Sequence, residues 1–179
     1  MTTVLADTST LPGLAELIAE RHRLGRDGYD EVWNGVYHVA AMARFGHGQV
    51  QMQLGVVLAE LAPEGLVVAG PVNIGLDDND FRVPGAVAVR DPVDVVWVPT
   101  AAMVVEVRSS GDDTYLKFEF YHARGVEEIL VADLTGRELH LYARRATDYA
   151  EVDASAVLGG ASVARIAQDL TWAGQRPIA

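Results

Sequence analysis

Cysteine is absent from the 179-residue chain, which excludes disulfides and thiolate metal sites. Lysine is nearly absent. Lys117 stands alone and the other thirteen basic residues are arginine. Positive charge is scarce overall, with a formal net charge of −11. Phosphate binding draws mainly on Lys and Arg displacing counterions, so this balance opposes tight nonspecific nucleic-acid binding. Arg124, Arg137 and the Arg144-Arg145 pair leave room for a local basic patch. No apolar run approaches the roughly 18 residues that cross a bilayer, so no membrane partner is expected. The N-terminus lacks a basic segment followed by an apolar core, and a cytoplasmic location is the expectation.

Half the residues are hydrophobic and 22% are charged, the balance of an ordered chain with a full core. With no repeat, linker or low-complexity stretch, residues 1–179 read as a single domain. Leu11 to Arg23 has helical apolar spacing, with Pro12 suited to a first turn. Asn34-Gly35 between two apolar-rich runs signals a type I′ hairpin. Gly46 to Leu61 carries a helical stripe of Val50, Leu54, Val57, Leu58 and Leu61, interrupted by Gly48 and Gly55. The period then shortens. Leu66–Ala69, Val72–Ile74, Val87–Val89, Val93–Val98 and Met103–Val107 are β-branched runs bounded by turn residues. Thr114 to Arg124 reads as a helix ended by Gly125, with Leu116, Phe120 and Ala123 on its core face. Strands at Glu128–Ala132 and Glu138–Ala143 follow, joined by a turn at Asp133, Thr135 and Gly136. Ser162–Ile166 reads as a last strand, and Trp172 as a residue that docks the terminus. The whole is an α+β fold with a central mixed β-sheet flanked by helices.

Glu106 follows an apolar run that reads as a buried strand, where a carboxylate needs a partner or a metal. Arg108, two residues on and on the same face, is one candidate partner. Lys117, Tyr121 and Arg124 share one helix face, which is either solvated surface or the lining of a phosphate site. A lysine ammonium is a compact point charge, suited to a phosphate or an attacking water. Glu31, before the hairpin, reads as a surface carboxylate, and His47 as a capping or surface histidine.

The order of these residues resembles the Uma2 family of restriction-endonuclease-like proteins in the PD-(D/E)xK nuclease superfamily. The resemblance runs through Glu31-x-x-Asn-Gly35, His47, Phe81-Arg-Val-Pro84-Gly-Ala-Val-Ala-Val89, Val104-Val-Glu106-Val-x-Ser109-Ser, Lys117, Tyr121 and Gly125-Val-Glu-Glu-Ile-Leu-Val-Ala-Asp133. It covers about residues 30–142. It implies a restriction-endonuclease-like core and a metal-dependent DNA endonuclease using Mg²⁺ or Mn²⁺. Through it, Glu106 matches the strand carboxylate that binds metal. Lys117 matches the catalytic lysine, moved from the usual Glu-x-Lys place onto the next helix. Glu31 matches an N-terminal acidic position, and Tyr121 and His47 match supporting ones. Arg108 stands in the Glu-x-Lys place.

One position departs from the pattern. The family's Pro-Asp pair falls at Pro84 and Gly85, so the central metal carboxylate is missing. Asp80 and Asp91 lie five and six residues away, roughly 16–20 Å along an extended strand at ~3.3 Å per residue. The sequence does not place Asp94. Weak metal binding and strongly impaired cleavage are therefore expected. The alternatives are a non-catalytic module that binds nucleic acid or protein, and an assembly subunit. A homodimer is expected.

Overall fold

The computed structural model describes residues 3–4, 13–92 and 94–173. In chain order it has β1 (Thr3–Val4), α1 (Leu14–Arg23), β2 (Glu31–Trp33), β3 (Val36–Val39), α2 (Phe45–Leu61) and β4 (Leu66–Ala69). Next come β5 (Asn73–Gly75), β6 (Phe81–Arg82), β7 (Ala86–Arg90), β8 (Trp97–Val98) and β9 (Met103–Arg108). A 3-10 turn (Thr114–Lys117) then leads into α3 (Phe118–Ala123). The chain continues through β10 (Glu128–Asp133), β11 (Glu138–Arg144), β12 (Tyr149–Val152), β13 (Ala154–Ser155), β14 (Ala161–Ser162) and α4 (Val163–Ala167).

The central sheet has strand order β12-β11-β10-β9-β7-β4. Only β9 and β10 run parallel in it, because the 3-10 turn and α3 carry the chain back between them. The other pairs in this sheet are antiparallel, so the sheet is mixed, as expected. Alternation along the strands gives two buried faces. Ala88, Met103, Val105, Leu130 and Ala132 pack beneath Val50, Leu54 and Leu58 of α2 and Ile166 of α4. Val87, Val104, Ile129 and Val131 pack against Phe120 and Tyr121 of α3. Glu106 is on the Val104 face by the same alternation, and so belongs to the α3 side.

A second six-stranded sheet, β1-β3-β2-β6-β5-β8, was not separable from the first by pattern, since its strands are two to four residues long. The expected hairpin is present. Glu31 pairs with His38 and Trp33 with Val36, and Asn34 and Gly35 take φ of 49° and 81°. Helix α2 runs unbroken through Gly48 and Gly55.

Several expectations need correction. Ser162–Ile166 is not a strand. Ser162 caps α4, its hydroxyl accepting the Arg165 N–H at 3.1 Å. The Thr114–Arg124 segment is not one α-helix, and the 3-10 turn rotates its first residues relative to α3. Leu116 is therefore 68% exposed, while Tyr121 is fully buried. Strand β8 covers only the last two residues of the Val93–Val98 run, and Val93 lies outside the described residues, as do Leu11 and Pro12. Trp172 packs against the α2-side core, as expected. Among the described residues no helix is long and apolar enough to cross a membrane.

Candidate functional site

Lys117, at the end of the 3-10 turn, extends its ammonium between the two sheets. Its Nζ donates to Glu31 Oε1 at 2.8 Å and to Glu106 Oε1 and Oε2 at 3.1 and 3.2 Å. An ammonium has three donors, and these bonds use all of them. The carboxylates are equally engaged. Glu31 Oε1 also accepts the Val83 N–H at 2.8 Å, and Oε2 accepts Trp33 Nε1 at 2.7 Å. The Tyr121 hydroxyl donates to Glu106 Oε1. Glu31 and Glu106 are 6% exposed, so neither is the surface carboxylate or Arg108 partner that the sequence allowed.

The electrostatics follow from this closure. Burial disfavours the Lys117 ammonium, but the adjacent Glu106 and Glu31 carboxylates outweigh it and hold the group above the ordinary lysine value. Burial pushes the Glu106 carboxyl up. Lys117 opposes that rise, Glu31's charge adds to it, and Tyr121 opposes it again, leaving a net upward shift. Tyr121 is likewise raised, by burial first and then by the two carboxylates.

Beside this trio lies a cleft of about 1400 Å³, lined by Gly85, Gln51, His47, His38 and Asp113 among others. Burial lowers the affinity of both His38 and His47 for a proton. His47 sits in the first turn of α2, on the cleft side. Arg108 is elsewhere. It pairs with Asp133 across the parallel ladder and lies 5.4 Å over the Tyr115 ring. Gly85 lies immediately before β7, against β9, its N–H donating to Val105 O, one residue before Glu106, at 2.8 Å. Asp80 is held by Arg82 and the Asn34 N–H, and Asp91 and Asp94 are exposed.

The sequence reading missed Trp33, His38 and Gln51. Two of these were accessible. The two-residue Asn34-Gly35 turn fixes the hairpin register, which puts Trp33 and His38 on the same face as Glu31. Trp33 is stacked on His38 at 4.2 Å, and the Arg82 guanidinium lies 4.6 Å over Trp33 and 4.1 Å over Phe120. This column aims Trp33 Nε1 at Glu31. Gln51 gave no signal, because its approach to Gly85 depends on how α2 crosses the sheet.

A divalent cation does not fit these residues. Mg²⁺ wants oxygen ligands in octahedral array. Lys117 already holds three of the four oxygens of Glu31 and Glu106, and Gly85 supplies none. Among the described residues, no group of three or more His, Cys, Asp or Glu converges to hold a metal.

The Uma2 family model, described as "Putative restriction endonuclease", matches residues 19–173. The chain belongs to the Uma2 family. No curated protein matches it. Among solved structures it is similar to a protein from Anabaena variabilis ATCC 29413, a "putative nuclease belonging to DUF820". That likeness has a TM-score of 0.61 at 10% identity, over 78% of this chain and 89% of the other. At that identity the likeness carries the fold, which is nuclease-like, and not the activity. The Uma2 model reaches further at both ends than the residues 30–142 that carried the resemblance, taking in the second half of α1 and the Trp172 region.

Proposed function

We propose that this Uma2 protein keeps the pocket of a metal-dependent DNA endonuclease in a closed, strongly impaired form, and that Glu106, Glu31 and Lys117 are its remnant. One observation carries the reading: all three Lys117 donors are spent on two carboxylates, beside a glycine where the family pattern has a metal ligand. A lysine that activates water or steadies a phosphoryl oxygen needs a donor to spare. Here it serves as the counter-cation that makes two buried carboxylates tolerable. Tyr121 and His47 would then support and border the pocket. Arg108, committed to Asp133, would stiffen the β9–β10 ladder.

Supercoiled plasmid incubated with the protein in millimolar Mg²⁺ or Mn²⁺ tests this. The expected result is no nicking above a buffer control. Nicking at the rate of an ordinary endonuclease, abolished by Lys117→Ala, would overturn it. The same DNA in a binding assay addresses the alternative of an interaction module. Salt-dependent binding without cleavage favours that module.

The expected homodimer would use the exposed apolar residues of α2, Phe45 at its start and Met52 and Val56 along the cleft, which are 83%, 75% and 55% exposed. In a chain of net charge −11, this helix has Glu60 as its single Asp, Glu, Lys or Arg, so two copies meet there with little repulsion. Sedimentation of the wild type beside Met52→Glu checks it, a shift to monomer in the variant being the expected result. A cytoplasmic location is consistent with this reading.

A further inference from the structure

The place of the missing carboxylate is bounded by a side chain that is neither acidic nor borne by a strand. A Cβ built on Gly85 would lie 3.3 Å from the Val105 carbonyl oxygen and 3.4 and 3.5 Å from Cγ and Cδ of Gln51. Gln51 is on α2, one turn beyond His47, and both line the cleft. Its helix neighbours of the same type face away from this point. Gln49 and Gln53 bond to Thr171, through Gln49 Nε2 to Thr171 Oγ1 and Gln53 Nε2 to Thr171 O, both at 3.1 Å. Those bonds tie α2 to the C-terminal segment and fix its rotation. Gln51 is thereby presented to the backbone of Gly85.

The consequence is a wall that a carboxylate cannot easily enter. The 3.3 Å approach to Val105 O is tighter than nine in ten Cβ contacts, and that oxygen, part of the ladder backbone, would have to give by a few tenths of an ångström. Cγ and Cδ of Gln51 stand at ordinary van der Waals distance from that Cβ, so the stem fills the space beside it. An aspartate here would start from a Cβ set between a carbonyl dipole and the Gln51 side chain. Neither neighbour brings the positive charge a carboxylate seeks.

We propose that Gln51 is a second determinant of the closed pocket, coupled to Gly85, and that the two together exclude a divalent cation. The site is closed from two elements: the approach to β7, which lacks the ligand, and α2, which bars the space a ligand would use. This rests on the reading of the pocket given above. It adds that replacing Gly85 alone does not reopen the site.

Mn²⁺ titrated calorimetrically into wild type, Gln51→Ala, Gly85→Asp and the double variant tests the coupling. Thermal melts with and without Mn²⁺ serve as a second readout and confirm that each variant is folded. Should the alanine double variant fail to fold, Gln51→Ser in the Gly85→Asp background takes its place. The expected result is no binding to wild type or Gln51→Ala, weak binding to Gly85→Asp, and binding at least tenfold tighter in the double variant. Mn²⁺ should raise the melting temperature most in that double variant. If Gly85→Asp binds as tightly as the double variant, the coupling is wrong while the reading of Gly85 stands. If the folded double variant binds nothing, the coupling and the reading of Gly85 fall together. If wild type binds Mn²⁺ and Gln51→Ala abolishes it, Gln51 is a ligand and not a barrier, and both proposals are overturned.

Discussion

Two buried glutamates on neighbouring parallel strands meet the same physical problem in different ways. Glu106 of β9 faces α3, and Glu128 of β10 faces the opposite side, with Leu130. Arg90 senses the charge of Glu128 from its pairing with Glu127, but Glu128, 2% exposed, has no salt-bridge partner among the described residues. Its Oε2 accepts the Ser155 hydroxyl, and its Oε1 accepts the Ala156 N–H at 2.7 Å. Ser155 Oγ in turn accepts the Leu158 N–H at 2.9 Å, so one carboxylate organises the whole β13 turn. Neutral dipoles make all the direct hydrogen bonds found for this single buried carboxylate. Glu106 shares its pocket with Glu31, and two carboxylates there require a cation. A buried acid on a strand is thus weak evidence for a site. A pair of them sharing one lysine is stronger evidence.

This contrast can be broken experimentally, most forcefully at Lys117. Lys117→Met leaves two buried carboxylates unpaired and should cost about 3–5 kcal/mol by urea denaturation at pH 7.5. Because Glu106 is raised, the folded protein takes up a proton on acidification before an unfolded glutamate does. Stability tied to that group is therefore gained as pH falls through its folded value and lost as pH rises through it. The Lys117→Met deficit should accordingly narrow at pH 5. A deficit that widened there would contradict the electrostatic account.

At the other glutamate, Glu128→Gln should cost about 1–3 kcal/mol, since one donor loses an acceptor but no charge is stranded. A loss as large as that of Lys117→Met would remove the distinction between the two regions. Within the Lys117 pocket, a double-mutant cycle of Lys117→Met with Glu31→Gln should show a favourable coupling of about 1–2 kcal/mol, the second change relieving the first. Between regions the effect should be smallest. Glu128 pairs with Met103, three residues from Glu106 and so roughly 10 Å along the strand. Lys117→Met and Glu128→Gln should then add within about 0.5 kcal/mol.

Much of this was legible in the chain. The apolar run before Glu106, the Asn34-Gly35 turn and the stripe of α2 are local patterns, and local patterns survive into the structure. The approach of Glu31 to Lys117 was legible only through the family resemblance, because 86 residues separate them and a second sheet has to fold over the first. The 3-10 turn defeated the helical periodicity at Leu116 and Tyr121, since three residues per turn do not keep the faces that 3.6 would assign. Gln51 was beyond sequence reasoning altogether. Its role depends on the rotation of α2, which is set partly by Thr171 at the far end of the chain.

The solitary lysine also supplies its own probe. With lysine labelled at ¹³Cε, the protein gives one side-chain resonance, belonging to Lys117. Its pH titration, with Mn²⁺ added at neutral pH, reads the central claim directly. The account predicts a resonance that stays charged well past the ordinary lysine value of about 10.4 and is not broadened by micromolar Mn²⁺. A titration at or below that ordinary value, or broadening by stoichiometric Mn²⁺, would show that Lys117 is free of its carboxylates and that a metal shares the pocket.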